Sequence, residues 1–188
     1  VKVCEKGEGH FMKNGKLARA HPTAAVTLVV ELLLKRSWEV VEEQQLKNVI
    51  PINLAPKPSK DPPWRLISDA RCVNEHVADW KFKYECLRAV PMVVNPGDWM
   101  LTIDLEDAYY TAGMHPDSRG LFGHKLRLDV VALQKLRAAG VFPADWKVDA
   151  ERDVCIQPKG LPMGFKNSCA IWTHIGKVLT AKWRRQGI

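Results

Sequence analysis

MLTIDLEDAYY, Met100 to Tyr110, runs from apolar residues straight into acid: Asp104, Glu106 and Asp107 fall within four positions, and two tyrosines follow. Read as a strand, WMLTID alternates its side chains between two faces. If the strand continues past its end, Asp104 and Glu106 point one way and Asp107 the other. Two explanations fit these residues. One is a solvated strand exit, with acidic side chains in a turn. The other is a carboxylate at the end of a central strand, with free backbone N–H groups just beyond it, holding a magnesium ion and the phosphates it bridges. The choice rests on the rest of the chain.

Upstream, WRLISDARCVN (Trp64–Asn74) puts Arg65 inside an apolar strand. A guanidinium is a rigid fork that meets two phosphate oxygens at once. Lys57 and Lys60 precede it on a polar, Pro-rich turn, PKPSKDPP, from which a point charge can close on a polyphosphate. The plainer readings are a surface arginine and a solvated loop, with Asp69 and Arg71 pairing on one face. Downstream, GLPMGFKNSCA (Gly160–Ala170) brackets Met163 with two glycines and a proline ahead of a helix start. Glycine lets a base or sugar approach the backbone closely. An ordinary loop with a helix cap reads the same way.

The remaining chain alternates helices and strands irregularly, which predicts an α+β fold rather than a doubly wound sheet. Residues 1–21 read as a loose Gly- and Lys-rich leader. Pro22 opens a helix through TAAVTLVVELLLKRSW, whose TLVVELLL buttresses the elements that follow. NVIPINLAPKP suits an edge strand and forms a hairpin with WRLISD. KYECLRAV predicts a short helix, NPGD a turn, and DVVALQKLRAAG a helix capped by Asp129 and stopped by Gly140. CIQPKGLPMGF is strand then loop. NSCAIWTHIGKVLTAKWRRQG is a long helix capped by Asn167 or Ser168, with Lys182, Arg184 and Arg185 at its C-terminal dipole end. Trp172, Ile175 and Trp183 fit packing on that helix, and His115 fits a turn.

Composition sets the class. With 46% hydrophobic and 26% charged residues in 188, the chain reads as a soluble globular protein. Its net charge of +7 biases its partners toward polyanions. The five cysteines form no CxxC pair, against a zinc knuckle or a disulfide framework. Reduced thiols in the cytoplasm or nucleus are expected, not secretion. AAVTLVVELLL carries Glu31 and is too short to span a bilayer, so no membrane is expected among the partners. The first residue is Val rather than Met, so the chain reads as a piece of something longer.

PINLAPKPSKDPPWRLISDARCVNEHV, PGDWMLTIDLEDAYYTAGMHPDSRGLFG and QPKGLPMGFKNSCAIWTHI occur in this order and at these separations. They resemble the fingers hairpin, the first catalytic motif and the template-and-nucleotide loop of retroelement reverse transcriptases. The GDW, IDL.DAY and HP..R wording is most similar to the tyrosine-recombinase type of retrotransposon. The resemblance covers roughly residues 25–188. It implies an incomplete right-hand polymerase, with fingers over 22–98 and a partial palm, built on a ferredoxin-like sheet, over 99–188.

The resemblance also implies roles. Asp104 is the catalytic, metal-binding aspartate of a two-metal polymerase that uses Mg²⁺ or Mn²⁺, with Leu105 beside it at the metal. Leu105, Glu106, Asp107 and Ala108 form the turn whose amides face the incoming deoxynucleoside triphosphate. Tyr109 lies under the sugar and excludes a 2′-hydroxyl, and Tyr110 lines that pocket. Arg65, with Lys57 or Lys60, grips the phosphates. Met163 and Gly164 pack by the nascent base pair, and Phe165 and Lys166 meet the template. The implied partners are an RNA or DNA template with its primer, the deoxynucleoside triphosphates and the rest of the polymerase. Phosphoryl transfer needs positioned metals and cations more than covalent chemistry, which agrees with such roles.

Two departures stand out. RLDVVALQKLRAAGVFPADWKVDAERDV, at about 127–154, interrupts what the family makes a tight connection. It reads as an insertion with its own helix, either a partner surface or a translated intron. The family's second catalytic motif also bears two adjacent aspartates, and no Asp-Asp pair occurs in the 188 residues. One strand carboxylate cannot hold two magnesium ions against a triphosphate, so this chain alone is expected not to polymerise. The alternative is a decayed or domesticated copy that keeps only nucleic-acid affinity. A metal-dependent nuclease using Asp104 and Asp107 leaves Tyr109, Arg65 and the Gly-Pro loop unemployed.

Overall fold

The computed structural model describes residues 12–58, 61, 63–84, 87–92, 94–100, 103–142, 146 and 152–186. Its α-helices are α1 (Lys16–Ala20), α2 (Pro22–Leu34), α3 (Arg71–Glu75), α4 (Ala108–Thr111), α5 (Pro116–Arg119), α6 (Val130–Ala138) and α7 (Ser168–Arg185). The strands are β1 (Trp38–Val40), β2 (Ile52–Pro56), β3 (Trp64–Ser68), β4 (His124–Arg127) and β5 (Asp153–Pro158). They make a three-stranded antiparallel sheet, β1-β5-β4, and the hairpin β2-β3. The fold is α+β.

Helix α2 organises the core. Pro22 starts it, where a missing N–H costs nothing. Ala25, Val26, Val29, Val30, Leu32 and Leu33 are buried along it. It ends in a Schellman motif: Arg36 N–H bonds to Leu33 O at 3.1 Å and Ser37 N–H to Leu32 O at 3.0 Å. Arg36 takes the left-handed position, φ 58°, where glycine is usual and a side chain costs about 1–2 kcal/mol. Its guanidinium offsets that strain by donating to Ala139 O at 3.0 Å and Gly140 O at 3.2 Å.

Those carbonyls end α6, so the segment read as an insertion is built into the core. Leu133 and Leu136 of α6 are buried in the same cluster as Leu33, Trp38, Leu66 and Ile156. Asp129 caps the helix, its Oδ1 accepting from Ala132 N–H at 2.7 Å, and Gly140 stops it at φ 61°. Both follow the sequence reading.

The hairpin and the sheet meet at His124, which is fully buried and stacks on Trp38 with ring centroids 4.8 Å apart. Nδ1 lies 2.8 Å from Ile50 O, a pure acceptor, so Nδ1 carries the proton. Nε2 then accepts from Ser68 Oγ of β3, 3.0 Å away. Burial pushes the imidazole pKa down to about 4, so it is neutral at physiological pH.

Several expectations need correction. No strand forms in the described part of WMLTID, residues 99–100 and 103–104. A strand needs a hydrogen-bonded neighbour, and none of the described strands pairs with this stretch. Trp99, Met100, Ile103 and Leu105 are exposed instead. The leader is not wholly loose, because α1 occupies Lys16–Ala20 and packs Ala18 into the core. In KYECLRAV, the described Lys83 and Tyr84 are not helical, and a 3₁₀ helix follows at Leu87–Met92. Asn167 sits at the α7 N-cap but its side chain does not cap: Oδ1 accepts from Trp80 N–H, and Ser168 Oγ donates to Pro162 O. Among the described residues α7 buries only Ser168 and Ala170, and Trp172, Ile175 and Trp183 are partly buried.

Candidate nucleotide cavity

A cavity of about 250 Å³ opens between α2, the β2-β3 hairpin and the acidic turn before α4. Leu28, Glu31, Leu32 and Lys35 of α2 and its C-cap form one wall. Their spacing of three, four and seven residues from Leu28 puts them on one helical face. Lys57, Asp61, Trp64, Arg65 and Leu66 of the hairpin form the second wall. The hairpin is closed by Lys57 N–H donating to Pro63 O at 2.8 Å. Glu106, Asp107, Tyr110 and Met163 complete the lining.

Of the residues assigned to nucleotide binding, the cavity brings together Lys57, Arg65, Asp107, Tyr110 and Met163. They come from all three sequence blocks. Lys57 and Arg65 make no ion pair among the described residues. Lys60 lies outside the described residues.

The acidic turn is held by a lysine that the sequence reading missed. Lys35 Nζ lies 2.6 Å from Asp107 Oδ2 and 3.3 Å from Glu106 Oε1. The Asp107 hydrogen bond, outweighing burial, keeps that ammonium above its ordinary pKa. Asp107 takes a left-handed conformation, φ 51°, and starts α4. Tyr110 is pushed up to about 12, first by burial and then by the Asp107 carboxylate, with Arg65 opposing. Its phenol therefore stays protonated at neutral pH.

Other assigned residues sit elsewhere. Asp104 and Leu105 are exposed and do not line the cavity. Ala108 begins α4, half-exposed. Tyr109 turns toward the first turn of α7, its hydroxyl 2.9 Å from Cys169 Sγ. Burial, then that contact, pushes its pKa up to about 12. Phe165 packs on Phe122 with centroids 5.1 Å apart, in a second small core. Lys166 Nζ pairs with Asp79 at 2.7 Å.

The glycine of the loop has a structural reason of its own. Gly164 has φ 116°, and a Cβ there would collide with Ser68 O, so β3 makes a close approach to it. Ser68 N–H donates to Met163 O at 2.9 Å. Asn74 of α3 clamps the other side, donating to Gly164 O and accepting from Lys166 N–H, both at 3.0 Å. Met163 is thereby fixed against the hairpin that carries Arg65.

Among the described residues no group of three His, Cys, Asp or Glu side chains is placed to hold a metal, and Glu106 and Asp107 are already bound by Lys35. Cys72, Cys155 and Cys169 are free thiols, and among the described residues no helix is long and apolar enough to cross a membrane. No protein-family model matches the chain, and no curated protein matches it.

Proposed function

We propose that the chain is the fingers and part of the palm of an intracellular RNA-directed DNA polymerase from a retroelement. In this reading the cavity receives the triphosphate of an incoming deoxynucleotide. One observation carries it: Lys57, Arg65, Asp107, Tyr110 and Met163, assigned from separate sequence blocks, line one cavity. Lys57 and Arg65 grip phosphate oxygens, Arg65 in two places. Tyr110 and Met163 bound the side toward the sugar and base. Mg²⁺ or Mn²⁺ belongs to the complete enzyme, and no phosphoryl-transfer step is assigned to this chain. Its partners in that enzyme are a primed RNA or DNA template and the remaining palm.

The second reading, a relic that only binds nucleic acid, draws on the exposed Asp104 lying outside the cavity. Equilibrium dialysis with a labelled deoxynucleoside triphosphate and Mg²⁺ separates the two. The polymerase reading expects saturable binding that Arg65→Ala weakens about tenfold or more, the size of one lost charge-assisted bond pair. Binding indifferent to Arg65 and Lys57 favours the relic. On either reading the chain alone incorporates no labelled deoxynucleotide onto a primed RNA template.

A further inference from the structure

A second cavity of about 460 Å³ lies between α1, α2 and strand β4. We infer that it binds a small organic anion with an apolar body and a phosphate or carboxylate head. Its volume falls within the roughly 300–1,000 Å³ of small-molecule sites. Ala18, Pro22, Val26, Val49 and Leu126 give it an apolar wall. Four cations, Lys13, Arg19, Lys125 and Arg127, surround that wall against a single carboxylate, Asp153.

Two of the cations are engaged: Lys125 Nζ lies 2.5 Å from Glu43 Oε1, and Arg127 Nε lies 3.9 Å from Asp153 Oδ1. Lys13 and Arg19 are exposed and make no ion pair among the described residues. Asn14 holds the walls together. Its Oδ1 accepts from Ile52 N–H of β2 at 3.0 Å, and its Nδ2 donates to Lys125 O of β4 at 3.3 Å.

The two halves of the lining select the ligand jointly. Inorganic phosphate satisfies the cations but leaves the apolar wall wet. A neutral apolar molecule covers the wall but leaves the positive potential unanswered. An anion with an apolar body does both. This site shares no lining residue with the nucleotide cavity, so the proposal stands apart from the polymerase reading.

The test titrates 1-naphthyl phosphate, 1-naphthoate and neutral 1-naphthol into the full chain, with backbone amide NMR shifts as the readout. Either anion should bind about tenfold or more tightly than naphthol and move the amides of Asn14, Arg19 and Leu126. The tighter anion identifies the head group. Lys13→Ala with Arg19→Ala should abolish the anion's advantage, whereas Lys57→Ala with Arg65→Ala should leave it intact. Both pairs are surface changes, and circular dichroism checks that each variant is folded. Equal binding of naphthol, wild-type affinity in the Lys13/Arg19 variant, or shifts confined to the Arg65 cavity overturns the proposal.

Discussion

The Arg65 cavity and the Arg19 cavity share α2 as a wall but differ in sign. Around Arg65, four carboxylates (Glu31, Asp61, Glu106 and Asp107) face three cations. Around Arg19, four cations face one carboxylate. A chain of net charge +7 thus keeps the more acidic of these two cavities where a triphosphate is proposed to bind. Net charge locates nothing; the local balance decides what each cavity accepts. Mixed charge suits a polyphosphate that carries its own divalent cation, because the cation inverts the local logic. Excess positive charge suits an anion that arrives alone.

The largest expected effect breaks both cavities together. Leu33 is fully buried in the wall they share, so Leu33→Ala should cost about 2–5 kcal/mol in denaturant unfolding. Triphosphate and naphthyl-phosphate binding should then weaken in parallel at temperatures where the variant begins to melt. Loss of one without the other means that the walls are independent.

Next comes the junction that joins the hairpin of one cavity to the β4 wall of the other. His124 has its pKa lowered from 6.5 to about 4 by burial. Between those values the unfolded chain binds the proton and the folded one does not. Stability is therefore full above pH 6.5 and is lost as pH falls toward about 4, by on the order of 3 kcal/mol. Urea unfolding at pH 7 and pH 4.5 measures it. His124→Gln should flatten much of that pH slope, and an unchanged slope assigns the acid sensitivity to other groups.

The smallest effect sharpens the contrast in charge. Lys35→Met removes an exposed cation from the acidic cavity, so stability should move by no more than about 1 kcal/mol. Triphosphate affinity should fall a few-fold and the second cavity should be unaffected. Dialysis and amide shifts on the same sample read both.

What was legible in the sequence was local. Helix α2, the hairpin, α6, β5 and α7 announce themselves through proline, caps and side-chain period, and all form. WMLTID has an equally good alternation, but a strand also needs a partner, which alternation does not encode. Asp104 is exposed and lies outside the cavity. Arg65, Lys57, Tyr110 and Met163, singled out in separate stretches of sequence, line one cavity. Lys35 and Glu31 were not so singled out, although their spacing with Leu28 marks a helical face, because nothing local says which neighbour that face meets. Gly164 stood out as a place for close approach, and Ser68 O of β3 comes close there, a neighbour that nothing local in the sequence names. The segment at about 127–154 read as an insertion with its own helix, a partner surface or a translated intron, yet it supplies Leu133 and Leu136 to the core.

The most direct test of the central claim is photo-crosslinking of an azido-substituted deoxynucleoside triphosphate to the full chain, followed by peptide mapping. The account predicts adducts on peptides that contain Arg65, Tyr110 or Met163, suppressed by excess unmodified deoxynucleotide. Adducts that resist competition, or that gather at Arg19 and Leu126 instead, contradict it.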